Sequence, residues 1–349
     1  MRYEMANSIP DRMHALVLPE YREEIADAID SLRVEQRSVP TLKRGQVLVR
    51  IDAAPCNPSD LLLLQGKYGA LKTLPAVPGW EGAGTVVASG GGPLAWWLKD
   101  KQVACGQQED RDGTWAEYVV ANAAECIPLK QKLRMEQAAS LIINPLTAIG
   151  LLETARRGGH RAAVHTAGAS QLGRMLVAMA AELNYPIINV VRREAQVELL
   201  NSLGAAHVLN SSDDDFVDQL QAVSAKLQAT AAFEAVGGEM TGTVFNVLPE
   251  GSSVYVYGAL SEEACDNIDP IELIFRQKTV NGFYLGTWLQ ERGSLGVLRA
   301  ASRAQKMLID GRIETKVQRT VSLEEAVDGL RQYVDHMTDG KLLIMPHTG

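Results

Sequence analysis

The chain has 349 residues, 46% of them apolar and 22% charged, with a formal net charge of −8. Two domains are expected from that length, and the apolar share is that of a globular protein able to bury a sizeable core. The acidic balance argues against a nucleic-acid partner, which needs a basic face, but leaves room for a local basic pocket around one phosphorylated ligand.

In chain order, Met1–Glu24 mixes Asp, Glu and Arg and does not read as a signal or transit peptide. No later apolar run reaches the roughly 18 residues of a membrane helix. A cytoplasmic location without a membrane partner is expected. The first predicted strands are Met13–Leu18 and Val47–Ala53, with Gly45 turning the chain before the second. Pro55, Pro58, Gly66, Gly69, Pro75, Pro78 and Gly79 then mark a stretch of loop chemistry. Gly82–Ala88 and Thr114–Val120 read as further strands, so the first third is mainly β with irregular connections.

From Ala162 the character changes. Strands are predicted at Ala162–Thr166, Ile187–Val191, His207–Leu209, Ala231–Ala235 and Ser253–Tyr257. They alternate with helices at Leu172–Leu183, Glu194–Leu203, Asp214–Leu227 and Met240–Leu248. Such alternation implies a doubly wound parallel sheet, and strands without polar alternation suit a sheet covered by helices on both faces. After about Gly282 come a long helix, Gly293–Asp310, a strand, Val317–Val321, a further helix and a last strand, Lys341–Met345. This tail does not extend the alternation and is expected to return to the first domain.

Cys56, Cys105, Cys126 and Cys265 form no C-x-x-C pair and have no His at ligand spacing. They read as reduced thiols rather than a disulfide framework or a structural zinc site.

The first chemical motif follows Thr166: Gly168-Ala169-Ser170-Gln171-Leu172-Gly173. It departs from the dinucleotide fingerprint G-x-G-x-x-G at its middle position. The first glycine suits a tight turn and the last suits close packing of helix on strand. Ser170 replaces the glycine that lets a pyrophosphate approach the backbone, and offers a hydroxyl; the helix start then presents free N–H groups to phosphate. The competing reading is a tight turn without a ligand. The second motif is Arg192-Arg193, at the end of the next strand. NAD-binding folds usually place an acid there for the ribose hydroxyls. Two guanidinium groups suit a 2′-phosphate instead, which favours NADPH. The competing reading is a pair of solvated surface arginines.

Several further blocks carry a family resemblance. They are Cys56-Asn57-Pro58-Ser59-Asp60, Gln65-Gly66-Lys67-Tyr68-Gly69, Leu74 to Gly82, Asn144-Pro145-Leu146-Thr147-Ala148, Val190 to Arg193, Val236-Gly237-Gly238, Tyr257-Gly258, Gly282 to Leu285 and Gly340-Lys341. In this order they resemble the medium-chain dehydrogenase/reductase superfamily over nearly the whole chain. Within it the chain is most similar to zinc-independent 2-enoyl thioester reductases and quinone-oxidoreductase-like members. The resemblance implies a GroES-like, mainly β catalytic domain (1–140 and 283–349) and a Rossmann NADPH-binding domain (141–282), with the active site in the cleft between them. By motif position the zinc-ligand stations fall at Asn57, Trp80 and about Ile143, so no metal is expected.

The resemblance also assigns roles. Tyr68 stands where enoyl thioester reductases carry a catalytic tyrosine, and a phenol can donate a hydrogen bond to a carbonyl oxygen or a proton to carbon. The competing reading is a tyrosine that only packs. Asn57 and Trp80 are placed at the substrate pocket, the competing reading for Trp80 being a core role. Asn144 and Thr147 are implied beside the nicotinamide end, Gly168, Ala169, Ser170, Gln171, Leu172 and Gly173 at the pyrophosphate, and Arg192 and Arg193 at the 2′-phosphate. Tyr257, Gly258, Leu260, Phe283 and Leu285 would flank the nicotinamide, and Lys341 would close on the adenosine phosphate or ribose side, the competing reading being a plain surface lysine. The implied reaction is NADPH-dependent reduction of the C=C bond of an enoyl thioester or enone, hydride going to the β-carbon and a proton to the α-carbon. Reduction of a quinone or small enone is the alternative within the same class, and a non-catalytic NADPH-binding protein the alternative outside it. The resemblance further implies a homodimer joined by edge strands of the nucleotide domain.

Overall fold

The structure is a computed structural model, and it describes residues 9–106 and 111–348. Residues 1–8 of the Met1–Glu24 stretch lie outside the described residues. Two compact units form: Met1–Ile142 with Thr315–Gly349, and Ile143–Glu314.

The first unit holds β1 (Arg12–Val17), α1 (Ile25–Ser31), β2 (Arg33–Ser38), β3 (Gln46–Pro55), α2 (Pro58–Leu64) and β4 (Glu81–Ser89). It continues with α3 (Pro93–Leu98), β5 (Gln102–Gly106), β6 (Tyr118–Asn122), β7 (Ile127–Pro128) and α4 (Met135–Ala138). The second unit runs α5 (Ile143–Arg157), β8 (Ala163–His165), α6 (Gln171–Glu182), β9 (Ile187–Val191), α7 (Glu194–Ser202) and β10 (His207–Asn210). After these come α8 (Phe216–Leu227), β11 (Ala231–Glu234), α9 (Gly238–Val247), β12 (Ser253–Val256), α10 (Pro270–Phe275), β13 (Thr279–Gly282) and α11 (Leu285–Ile309). The chain then re-enters the first unit for β14 (Val317–Val321), α12 (Ala326–Asp335) and β15 (Lys341–Ile344).

In the first unit the sheet order is β14-β15-β3-β4-β5-β7, with β6 also pairing β3, while β1 and β2 form a separate antiparallel pair. The tail is therefore part of this sheet: Leu343 pairs with Pro55 and Ile344 with Ala54. Val49, Ile51, Val86, Val103, Leu342 and Ile344 share one buried cluster with Trp115, whose indole N–H donates to Pro55 O at 3.2 Å. A buried tryptophan needs such an acceptor, because an unpaired indole N–H costs free energy away from water.

In the second unit all six strands are parallel, in the order β10-β9-β8-β11-β12-β13. The chain winds outward from β8 to β10, returns to the middle, and winds outward again from β11. The reversal between β8 and β11 is a topological switch point, outside whose carboxyl ends ligands bind in such sheets. Every residue of β8, β9 and β11 is buried, as expected of strands covered on both faces.

Some sequence expectations shift. The stretch between Pro55 and Gly79 is not all loop, because it contains α2. The strand predicted at Thr114–Val120 begins at Tyr118; Thr114 and Trp115 face the core without a continuous ladder. The helix predicted at Gly293–Asp310 begins earlier, at Leu285, and Gly293 (φ 64°) kinks it. The largest change concerns the tail. Residues 283–314 belong to the second unit rather than to the catalytic domain. Phe283 and Trp288 lie over α5, where a Cβ on Gly150 would stand 2.7 Å from the Phe283 ring and 3.2 Å from the Trp288 ring. That packing anchors α11 to α5, and the return to the first unit comes only at Thr315.

Candidate active site

Two groups of residues matter, one in each unit. In the second unit the turn after β8 carries the glycine motif. Ser170 is the N-cap of α6, and its Oγ accepts from Gly173 N at 3.1 Å. The serine hydroxyl thus satisfies one of the helix's orphan N–H groups. The left-handed residue of the turn is Ala167 (φ 54°) rather than Gly168. Gly168 serves close packing instead: a Cβ there would stand 2.9 Å from Asn189 Cβ on β9. A Cβ on Gly173 would stand 2.1 Å from Gly168 O, so only glycine lets helix and turn approach this closely. Gly173→Ala is therefore expected to cost about 1–3 kcal/mol of stability and to weaken dinucleotide binding at least tenfold. Thermal melts with and without dinucleotide check this; an unchanged melt would remove the packing argument.

Glu234, wholly buried at the end of β11, ties the turn to the opposite side of the switch point. It accepts from Thr166 Oγ1 at 3.1 Å, Val236 N at 2.7 Å, Gly237 N at 3.0 Å and Thr241 Oγ1 at 3.1 Å. Four donors make a buried carboxylate tolerable. His165, wholly buried, shares a 2.7 Å hydrogen bond between its Nε2 and Tyr257 Oη, the two rings lying nearly parallel at 17°. Burial holds the His165 pKa down to about 3, so the imidazole is neutral at physiological pH. Burial also raises the Tyr257 phenol.

Arg192 and Arg193 are exposed at the carboxyl end of β9, and neither forms an ion pair among the described residues. Gln196 Oε1 accepts from Arg192 N at 3.1 Å, and Ser212 Oγ donates to Arg192 O at 2.9 Å. These bonds engage the Arg192 backbone and not its guanidinium group. Asn144 and Thr147 are buried at the start of α5. Gly258 follows β12, where a Cβ would meet Ala235 O at 2.8 Å. Leu260 is exposed, while Phe283 and Leu285 are half-buried at the start of α11. The close turn, the capped helix start and the exposed arginine pair fit a dinucleotide carrying an extra phosphate.

In the first unit α2 organises the second group. Asn57 caps the helix, Pro58 occupies its first turn and Asp60 completes a reciprocal capping box. Asp60 Oδ2 accepts from Asn57 N at 2.8 Å and Oδ1 from Trp80 N at 3.0 Å. Burial pushes the Asp60 carboxyl up to about 6, against the pull of these N–H groups and Lys341. At the far end of α2, Tyr68 N donates to Leu62 O at 3.1 Å. The Tyr68 ring lies 5.0 Å from the Trp80 ring, and Lys72 Nζ sits 4.7 Å over the indole. Tyr68 remains half-exposed beside the buried Trp80.

One expected role changes here. Asn57 is wholly buried, with Nδ2 donating to Glu81 Oε1 at 3.2 Å and Oδ1 accepting from Lys341 Nζ at 2.5 Å. Its amide is committed at both ends rather than turned to a substrate. Lys341 is buried in the same unit and also donates to Cys56 O at 3.0 Å. Its ammonium is thus engaged within the first unit. Burial lowers its pKa while Glu81, Cys56 and Asp60 push back. These residues also do not fit a zinc ion. An amide held by an ammonium and an indole are not the thiolate and imidazole that the metal needs. Among the described residues no group of three or more His, Cys, Asp or Glu is placed to hold a metal. Among them, too, no helix is long and apolar enough to cross a membrane.

Sequence reasoning missed Glu81, Glu234, Lys72 and His165. Glu81 and Glu234 carried a usable signal, an acid placed at the start or end of an apolar strand, which burial makes conspicuous.

The Alcohol dehydrogenase GroES-like domain family matches residues 43–131, and the Zinc-binding dehydrogenase family matches residues 172–300. The chain is 26% identical over 343 residues to the mitochondrial enoyl-[acyl-carrier-protein] reductase of Caenorhabditis elegans, covering 96% of each. It is 36% identical to a Mesorhizobium loti protein of known structure, provisionally assigned as an NADPH:quinone reductase. That likeness covers 97% of this chain and 100% of the other, with a TM-score of 0.90. The fold is shared as well by Etr1p in its complex with NADP and crotonyl-CoA, at 22% identity, 96% and 99% coverage and a TM-score of 0.79. The chain belongs to the zinc-independent part of the medium-chain dehydrogenase/reductase superfamily, with a GroES-like and a Rossmann unit, and is an oxidoreductase that works with a nicotinamide cofactor.

Proposed function

We propose that this protein reduces the C=C bond of a 2-enoyl thioester or similar enone with NADPH. The observation that carries the reading is Tyr68, a half-exposed phenol set against Trp80 at 5.0 Å just beyond the end of α2. When bound, the cofactor supplies the hydride. Arg192 and Arg193 hold its 2′-phosphate, the Ser170-capped start of α6 receives the pyrophosphate, and Asn144, Thr147, Tyr257, Gly258, Leu260, Phe283 and Leu285 frame the nicotinamide. Tyr68 donates a hydrogen bond to the carbonyl oxygen on which charge develops, and a proton to the α-carbon. The enoyl reductase from Caenorhabditis elegans supports this substrate class.

The 36% identical Mesorhizobium loti protein, provisionally assigned as an NADPH:quinone reductase, supports a second reading, two-electron reduction of a quinone or small enone. Following NADPH absorbance over crotonyl-CoA, a carrier-protein enoyl thioester, simple enones and quinones separates the two. Turnover of crotonyl thioesters at least tenfold faster than quinones supports the first reading, and the reverse order supports the second. NADPH binding without turnover of any of them overturns both.

The protein is further proposed to act in the cytoplasm on a small-molecule substrate, as a homodimer. β13 lies at the edge of its sheet, with Thr279, Asn281 and Gly282 exposed. On the preceding helix Ile274 is 65% and Phe275 68% exposed. An open edge beside an apolar patch suits pairing with a second copy. Replacing both Ile274 and Phe275 by Asp is expected to convert the dimer to monomer in sedimentation velocity; a wild-type monomer, or a dimeric variant, would sink the idea.

A further inference from the structure

The short helix α3, in the first unit, presents two tryptophans to water. Pro93 starts it, and Ala95 and Leu98 are buried in the core of that unit, so the helix is firmly seated. Its other side carries Leu94 at 45%, Trp96 at 74% and Trp97 at 50% exposed. The other three tryptophans of the chain, Trp80, Trp115 and Trp288, are all buried. An exposed indole forgoes the large apolar burial that tryptophan brings to a fold, and two in succession beside a leucine mark an interaction surface.

The rim of this patch is basic. The Gly90–Gly92 turn leading into α3 is bonded to the turn before β3, Gly45 N donating to Gly91 O and Gly90 N to Gln46 O, both at 2.9 Å. Lys43 and Arg44 are thereby brought to the start of the helix, where a Cβ on Gly92 would stand 4.0 Å from Arg44 Cγ. At the other end Lys99 caps α3, and Lys101 Nζ lies 3.1 Å over the Trp97 ring. Lys43, Arg44 and Lys99 are exposed. In the segments 43–46 and 90–101 these four cations face a single acid, Asp100, although the whole chain carries a formal net charge of −8. Glu125, on the turn that α3 packs against, is paired with Arg111 at 2.8 Å.

We propose that α3 docks this protein reversibly on a membrane surface rich in anionic lipid. Trp96, Trp97 and Leu94 enter the boundary between headgroups and acyl chains, where an indole finds both an apolar medium and an acceptor for its N–H. Lys43, Arg44, Lys99 and Lys101 meet the anionic headgroups, each keeping its ammonium or guanidinium in the wet layer. Charge complementarity calls for an anionic partner, and the projection of Trp96 favours a fluid one, since a rigid protein face needs a matching pocket for the ring. The expectation of a chain without a membrane partner rested on the lack of a spanning run, and contact at the surface needs none. The proposal is independent of the reading of Tyr68.

Co-sedimentation of the full chain with vesicles tests it. Equimolar phosphatidylcholine and phosphatidylserine should bind the wild type at least tenfold more tightly than pure phosphatidylcholine, and added salt should weaken the binding. Tryptophan fluorescence should shift to the blue on those vesicles and be quenched by brominated acyl chains. Trp96→Ser with Trp97→Ser should weaken binding at least tenfold and abolish the shift, while NADPH oxidation in free solution is unchanged. Lys99→Glu with Lys101→Glu should remove the preference for phosphatidylserine. A wild type that does not bind the mixed vesicles, or serine variants that bind as well as it does, would overturn the proposal. Equal binding to both vesicle types would overturn the role of the cations. A wild type that ignores vesicles but loses a self-association step in sedimentation velocity when both tryptophans are replaced would reassign the patch to a second copy of the chain. Should the serine variant fail to fold by near-ultraviolet circular dichroism, the glutamate variant and the quenching of the wild type decide.

Discussion

Tyr68→Phe is expected to lower kcat for enoyl thioester reduction by about 10²–10³-fold, within the range that a positioned general acid supplies. Phenylalanine keeps the ring against Trp80, so the 5.0 Å pair and the packing around Lys72 survive, and only the hydroxyl is lost. The NADPH Kd should therefore stay within twofold, and kcat and kcat/KM should fall together, the signature of an interaction made in the transition state. Quinone reduction needs no proton delivered to carbon and should tolerate the change within about threefold. Rates on crotonyl-CoA and on a quinone, measured side by side with one preparation, give both answers. An unchanged thioester rate would leave Tyr68 as a packing residue.

The second large effect concerns the cofactor. Replacing Arg192 and Arg193 together by Ala is expected to raise the Kd for NADPH about 100-fold and to leave that for NADH nearly unchanged. Each charge-assisted contact to the 2′-phosphate is worth roughly 1.5–3 kcal/mol, discounted because both side chains are exposed and screened. About 1.4 kcal/mol apiece gives the factor of 100. The wild-type preference should also weaken at high salt. A wild type that prefers NADH, or a double variant that still prefers NADPH, would overturn the assignment.

The nucleotide unit was legible in the sequence because its signals are local. Short apolar runs separated by helical periodicity give parallel strands, and the turn after Thr166 sits between one strand and one helix. The misplaced role of Gly168 came from the same local view: the left-handed residue is Ala167, which no propensity argument selects. The first unit was harder to read. Helix α2 carried a clear start signal, Asn57-Pro58-Ser59-Asp60 before four leucines, but the surrounding prolines and glycines masked it. The true partners of Asn57 and Lys341 were not legible, because which buried amide meets which ammonium depends on a sheet register set by β15 pairing with β3. The tail boundary failed for a similar reason. The face α11 lays on α5 is a matter of packing, and the kink at Gly293 hid the true start of the helix.

The bond between Lys341 and Asn57 spans 284 residues of chain. It has a consequence for biosynthesis. A ribosome adds roughly 5–20 residues per second, so the α2 segment emerges many seconds before the strand that secures it. The nucleotide unit, whose contacts lie within Ile143–Glu314, can fold in that interval. The Tyr68 segment must wait with its sheet one strand short, and Asp60 and Glu81 lack their cation until the last strand docks. Maturation of the catalytic unit therefore waits on the emergence of that strand, and the interval before it docks is the one in which this chain most needs protection from aggregation.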